Sequence, residues 1–189
     1  MKLMDGIEVS RNIYCNLIEK IKYLYEEHNI RPKLSVIIVG NRPDSLSYVK
    51  KKQQKCKELE IESQIIHMPS YVTEIDLLNQ VSILNKDSNI HGILVQLPLP
   101  EHINQDKILS KIDVEKDVDG FHYTNMGLLT LNRNSTLIPC TPKGCITLLK
   151  YYKIPIEGKH VVIIGKSNVV GLPLSLLLMH ENATVTVCH

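Results

Sequence analysis

The chain has almost no net charge. Its formal total is +2 over 189 residues, too little to mark nucleic acid or a membrane surface as the main partner. No apolar run approaches the ~20 residues that cross a bilayer. A signal-peptide core and an arginine-rich leader are both missing, and Met1 leads almost directly into an amphipathic pattern. The five cysteines (Cys15, Cys56, Cys140, Cys145, Cys188) are odd in number, scattered and never arranged as C-x-x-C. Free thiols in a reducing compartment are the simplest account, which predicts a cytoplasmic protein. Eight histidines occur without H-E-x-x-H or a Cys/His cluster, so no metal site is expected. Cys140 has no local signature of a nucleophile around it. Gly165-Lys-Ser167 is not a P-loop, because that motif needs a glycine where His160 stands. Internal repeats and low-complexity segments are absent too.

What remains is an ordinary globular composition, 43% hydrophobic and 22% charged, with enough length for one large domain or two small ones. Periodic apolar residues (Ile7, Ile13, Leu17, Ile18, Ile21, Leu24, Tyr25) predict a first helix over 6–28. Leu34 to Val39 reads as a buried parallel strand, followed by a turn-rich loop over 40–45 and a helix around Ser47 to Lys57. A strand near Ser63 to Met68 comes next. Thr73 with Asp76 then resembles a capping box opening a helix through Leu84. Gly92 to Gln96 is another buried-type strand, stopped by Leu97-Pro-Leu-Pro100. A short helix is expected over 104–110. Residues 123–137 read as a connecting region. Pro142 is expected at the first position of a helix reaching Tyr152. Strands at His160 to Ile164 and Ala183 to Val187 flank a helix over 172–179. The alternation predicts α/β architecture: an N-terminal α/β domain with a mostly parallel sheet over 1–122, a connection over 123–138, and a βαβ unit with a glycine-bearing turn within 139–189.

Two stretches could carry chemistry. Tyr48 and Lys52 stand one helical turn apart on one face, so a ring could stack on a flat heterocycle while the amine handles a proton. The ordinary alternative is a solvated lysine-rich face rimmed by a tyrosine. Gly165 and Gly171 flank a turn between strand and helix, where backbone N–H groups can approach a phosphate. This is not G-x-G-x-x-G: Ser167 replaces the middle glycine and the outer pair stands one residue further apart, so an ordinary tight turn is the alternative. Gln96 and Asp119 each lie at or just beyond an apolar strand end, where open α/β sheets place ligands.

Six motifs, Tyr48-Val-Lys-Lys-Lys52, Gly92-Ile-Leu-Val-Gln-Leu-Pro-Leu-Pro100, Lys116-Asp-Val-Asp-Gly-Phe121, Pro139-Cys-Thr-Pro-Lys-Gly144, Gly165-Lys-Ser-Asn-Val-Val-Gly-Leu-Pro173 and Ala183-Thr-Val-Thr-Val-Cys-His189, occur in one order along the chain. Together they resemble the bifunctional methylenetetrahydrofolate dehydrogenase/methenyltetrahydrofolate cyclohydrolase family. The resemblance implies a folate-binding first domain over 1–122, NADP rather than NAD on a Rossmann-like NAD(P)-binding second domain that begins at 139 and is incomplete at 189, and a homodimer. It implies that Tyr48 stacks on folate, Lys52 is the catalytic amine, Gln96 hydrogen-bonds and tunes it, and Asp119 holds the pterin end. Thr141, Gly165, Lys166, Ser167 and Gly171 fall at cofactor-contacting positions. Lys166 stands where the family commonly has arginine, keeping the charge for a 2′-phosphate but losing the bidentate fork. The family continues past the position of His189, so the resemblance leaves two readings: the enzyme itself, or a folate-binding or dimerisation module that does not turn over.

Overall fold

The computed structural model describes residues 3–133 and 137–189. They form two compact units, Asn12–Val118 and Met1–Arg11 with Asp119–His189. Helix α1 (Gly6–His28) starts in the second and ends in the first. Of its predicted apolar face Ile21 is buried, whereas Ile7, Ile13 and Ile18 are exposed. Periodicity defines a stripe, but only a packed neighbour buries it.

In the Asn12–Val118 unit the all-parallel sheet has the order β2-β1-β3, built from β1 (Lys33–Val39), β2 (Glu62–Met68) and β3 (Gly92–Val95). Ile37 on β1 pairs with Ile66 of β2 and Val95 of β3. The successive apolar residues of β1 are buried on both faces, as a central parallel strand requires. Helix α2 (Pro43–Glu58) lies on the face of Val36, Ile38 and Leu94 through Val49. Its first turn occupies part of the stretch expected as loop. Pro43 takes the first helical position, where its missing N–H costs nothing, and Asp44 follows in the same turn. Helix α3 (Glu74–Lys86) is capped as expected, Thr73 Oγ1 accepting from the Asp76 N–H at 3.1 Å. The short α4 (Gln105–Leu109) completes this unit, capped by the Asn104 side chain.

In the other unit, the stretch read as a connecting region carries a helix, α5 (Tyr123–Thr130), that the sequence pattern did not assign. His122, buried, accepts from the Thr124 N–H through Nδ1 and starts the helix. Histidine is a rare cap, so no sequence signal marked it. Residues 134–136 of that stretch lie outside the described residues. Helix α6 (Cys140–Tyr151) begins two residues before Pro142, which is third rather than first in the helix. Any of the first turn's positions suits proline, since none of its N–H groups has an intrahelical partner. Strands β4 (His160–Ile164) and β5 (Thr184–Cys188) pair in parallel around α7 (Gly171–His180). Their packed face joins Ile163, Ile146, Ile156 and Leu178 in one core. The opposite face is open, with Val162 54% and Ile164 91% exposed.

Candidate functional site

The order β2-β1-β3 dictates where a ligand site can form. The chain leaves β1 for β2 on one side, and after β3 turns to the other, where Asp117 bridges to Ile93. Connections depart in opposite directions from β1 and β3, so a crevice opens beyond their C-terminal ends. Gly40 ends β1 there and Gln96 ends β3, one residue past the strand rather than inside it. The Gln96 N–H still donates to Ile37 O at 2.8 Å, which fixes its backbone on the sheet.

The buried stripe of α2 runs through Ser45, Val49 and Cys56, and burial pushes the Cys56 thiol up. Lys52 lies on the same stripe and is half-buried, while Lys50, Lys51, Lys55 and Lys57 point to solvent. Lys52 Nζ donates to Gln96 Oε1 at 3.0 Å, joining residues 44 apart in sequence. The other end of the amide is fixed too: Gln96 Nε2 donates to Leu97 O at 2.9 Å. A carbonyl can only accept, so the amide nitrogen faces Leu97 and the amide oxygen faces the lysine. An amine donating one N–H to Gln96 keeps its remaining valences for another molecule. Tyr48, one turn earlier, leaves 60% of its surface exposed, so its ring is open to stacking. Leu97 is the contributor the sequence did not reveal, because it acts through a main-chain carbonyl and any side chain would serve.

Asp119 is half-buried and begins the other unit. Its neighbour Gly120 has φ +70°, and a Cβ there would stand 2.4 Å from Leu137 O and 2.9 Å from Pro139 N. Glycine is required here on both counts.

The turn after β4 is shaped by two glycines with opposite surroundings. Gly165 has φ +116° with no atom within 4 Å of where a Cβ would stand, so the approach to its backbone is open. Gly171, the first residue of α7, is the reverse: a Cβ would stand 2.0 Å from Gly165 O. Gly165 thus leaves its backbone open to approach, and Gly171 lets the helix start pack closely on the turn. Ser167 Oγ accepts from the Val170 N–H at 3.2 Å and Ser167 O from the Leu172 N–H at 3.0 Å. Serine in the middle position therefore organises the helix start. Lys166 and Ser167 are exposed in this turn, and Thr141 is exposed in the first turn of α6, which packs on α7. Among the described residues no group of three His, Cys, Asp or Glu side chains could hold a metal, and no helix is long and apolar enough to cross a membrane.

A parallel sheet with a lysine–amide pair at its switch point, followed by a parallel βαβ unit with a glycine-bearing turn, places the chain among α/β proteins with a Rossmann-like second unit. The chain belongs to the tetrahydrofolate dehydrogenase/cyclohydrolase family: residues 4–119 match its catalytic domain and residues 139–189 its NAD(P)-binding domain. It is 46% identical over its whole length to bifunctional protein FolD 2 of Arabidopsis thaliana, covering 63% of that protein. It is 48% identical to bifunctional protein FolD of Francisella tularensis subsp. holarctica, covering 67% of it. The fold matches the crystal structure of the bifunctional FolD dehydrogenase/cyclohydrolase from Campylobacter jejuni with a TM-score of 0.97 at 48% identity, over 100% of this chain and 67% of that one. It also matches FolD from Trypanosoma brucei, complexed with NADP cofactor and inhibitor, with a TM-score of 0.95 at 39% identity, over 98% and 63%. The chain thus spans about two thirds of the length of these relatives.

Proposed function

We propose that the protein oxidises 5,10-methylenetetrahydrofolate to the 5,10-methenyl form with NADP and hydrolyses that product to 10-formyltetrahydrofolate. The observation that carries this reading is the hydrogen bond from Lys52 to Gln96 at the sheet's switch point. In the substrate two nitrogens flank one carbon, and their lone pairs help expel hydride from it. Bound NADP supplies the hydride acceptor. Tyr48 stacks on the folate ring and keeps it beside Lys52. The methenyl product is a delocalised cation, which a neutral amine tolerates better than an ammonium. Hydrolysis requires water to attack the same carbon while a base takes its proton, and the Lys52 amine, oriented by Gln96, is that base. Asp119 holds the pterin end. Thr141, Gly165, Ser167 and Gly171 contact the dinucleotide, and Lys166 faces its 2′-phosphate. The odd, scattered cysteines of the sequence support a reducing, cytoplasmic setting, and the family supports a homodimer.

A second reading, a folate-binding or dimerisation module without turnover, is favoured by the open face of β4 and β5. One experiment separates the two. The purified chain is mixed with 5,10-methylenetetrahydrofolate and NADP, and methenyl product is followed by absorbance beside a Lys52→Met variant. Turnover that disappears in the variant supports the enzyme. Folate binding without turnover supports the module, and full hydrolysis by Lys52→Met sinks the assigned role of the lysine.

A further inference from the structure

Lys116 opens the Lys116-Asp-Val-Asp-Gly-Phe121 motif but faces away from the crevice. Its ammonium meets the C-terminal end of α3, donating to Leu84 O at 3.2 Å, Asn85 O at 2.7 Å and Asp87 O at 2.8 Å. Three donors thus find three carbonyls at the negative end of a helix, which satisfies the group completely. Beside it the Asn85 side chain grips the preceding loop from both ends of its amide: Nδ2 donates to Lys111 O at 2.7 Å, and Oδ1 accepts from the Asp113 N–H at 3.1 Å. The Lys116 main chain is then tied to β3, its carbonyl accepting from the Ile93 N–H at 2.8 Å, and Asp117 bridges to Ile93. A Cβ on Gly92 would stand 2.5 Å from Val118 Cγ1, so the chain lies directly against β3 at that point. Asp119 is the next residue.

We propose that Lys116 and Asn85 form a clasp on the end of α3 that positions Asp119 for the folate, making Lys116 a positioning residue for substrate rather than a surface cation. The proposal rests on the reading of Asp119 as the group that holds the pterin. A lysine that merely capped α3 would influence stability alone. A lysine that sets the path of the chain into Asp119 influences folate affinity through that carboxylate, and only while the carboxylate is present.

The test is a double-mutant cycle on the full chain, with tetrahydrofolate and NADP as separate titrants in calorimetry and melting temperature as the check on folding. Lys116→Met should weaken tetrahydrofolate binding about ten- to a hundred-fold, the scale of a substrate contact displaced by about 1 Å. NADP affinity should stay within about threefold, and in an Asp119→Asn background the same lysine change should cost less than about threefold. Asn85→Asp keeps the acceptor, removes the bond to Lys111 O and should reproduce the effect in milder form, which covers the case of a poorly folding Lys116→Met. Lys116→Arg, which keeps the charge and several donors, should recover part of the affinity. Equal losses in both backgrounds, or a lower melting temperature with unchanged folate affinity, overturn the clasp while leaving Asp119's role intact. Asp119→Asn binding tetrahydrofolate like the wild type overturns the reading of Asp119, and no binding by the wild-type chain overturns the proposed function; either removes this proposal with it.

Discussion

Replacing Gly171 by alanine should damage the cofactor turn through a collision that no side-chain rotation can relieve. The new Cβ would stand 2.0 Å from Gly165 O, 2.7 Å from Gly165 C and 3.0 Å from Lys166 Cα, all main-chain atoms. Ordinary contact begins at 3.4 Å, so the helix start and the strand end must separate by about 1.4 Å. Overpacking costs ~1–3 kcal/mol when side chains can adjust, and here they cannot, which places the cost near 3 kcal/mol or above. For a chain of this size that lowers the melting temperature by about 6–12 °C. Gly127→Ala is the control: it sits in α5 with no atom within 4 Å of its Cβ, and should stabilise by ~0.5–1 kcal/mol. Calorimetric melting and NADP titration of both variants provide the readout. Gly171→Ala should melt low and bind NADP at least about tenfold more weakly, since its phosphate-facing backbone has moved. An unchanged melting temperature with unchanged NADP affinity would refute the assignment of this turn.

Three further outcomes follow from the geometry. Gln96→Leu removes the acceptor of Lys52 and should cut kcat/KM for methenyl hydrolysis by about ten- to a hundred-fold, the scale of leaving a desolvated hydrogen-bonding group without its partner; steady-state kinetics equal to wild type would refute the pairing. Thr73→Ala removes the cap on α3 and should cost ~1 kcal/mol, read as a reduced midpoint in urea unfolding with unchanged slope. Glu74 is exposed to pH in a defined direction. Lys107 Nζ and the Asn104 N–H both donate to its carboxylate and hold it below the usual glutamate range. A depressed folded value means that the stabilisation exists at neutral pH and is lost as pH falls from 4.5, the ordinary value, through the folded one. Glu74→Gln should therefore melt below wild type at about pH 7 and converge with it on acidification below the ordinary glutamate value; a gap that stays constant as pH falls contradicts the assignment.

Strand and helix identities were legible because each rests on local chemistry. The apolar run of β1 can only be a strand buried on both faces, and Thr73 with Asp76 caps a helix whatever lies nearby. The start of α2 at Pro43 and the existence of α5 were not legible. The first replaced a turn-rich reading with a proline-led helix, and the second depends on His122, which caps only because it is buried in place. The candidate site divides the same way. Tyr48 and Lys52 could be placed on one helical face from their spacing, and Gln96 at a strand end from the apolar run before it; Asp119, expected at a strand end too, instead follows an isolated bridge at Asp117. That Lys52 reaches Gln96, 44 residues away, follows from strand order β2-β1-β3, which sequence periodicity does not encode. The Leu97 carbonyl that orients the amide and the α3 carbonyls that hold Lys116 are main-chain groups, present at every residue and therefore invisible as signals. The sequence by itself determined which residue types could handle a proton or accept a phosphate, since those are properties of single side chains and short turns. Tertiary structure alone decided which backbone atoms hold them in place, because only long-range packing brings a particular carbonyl within hydrogen-bonding distance.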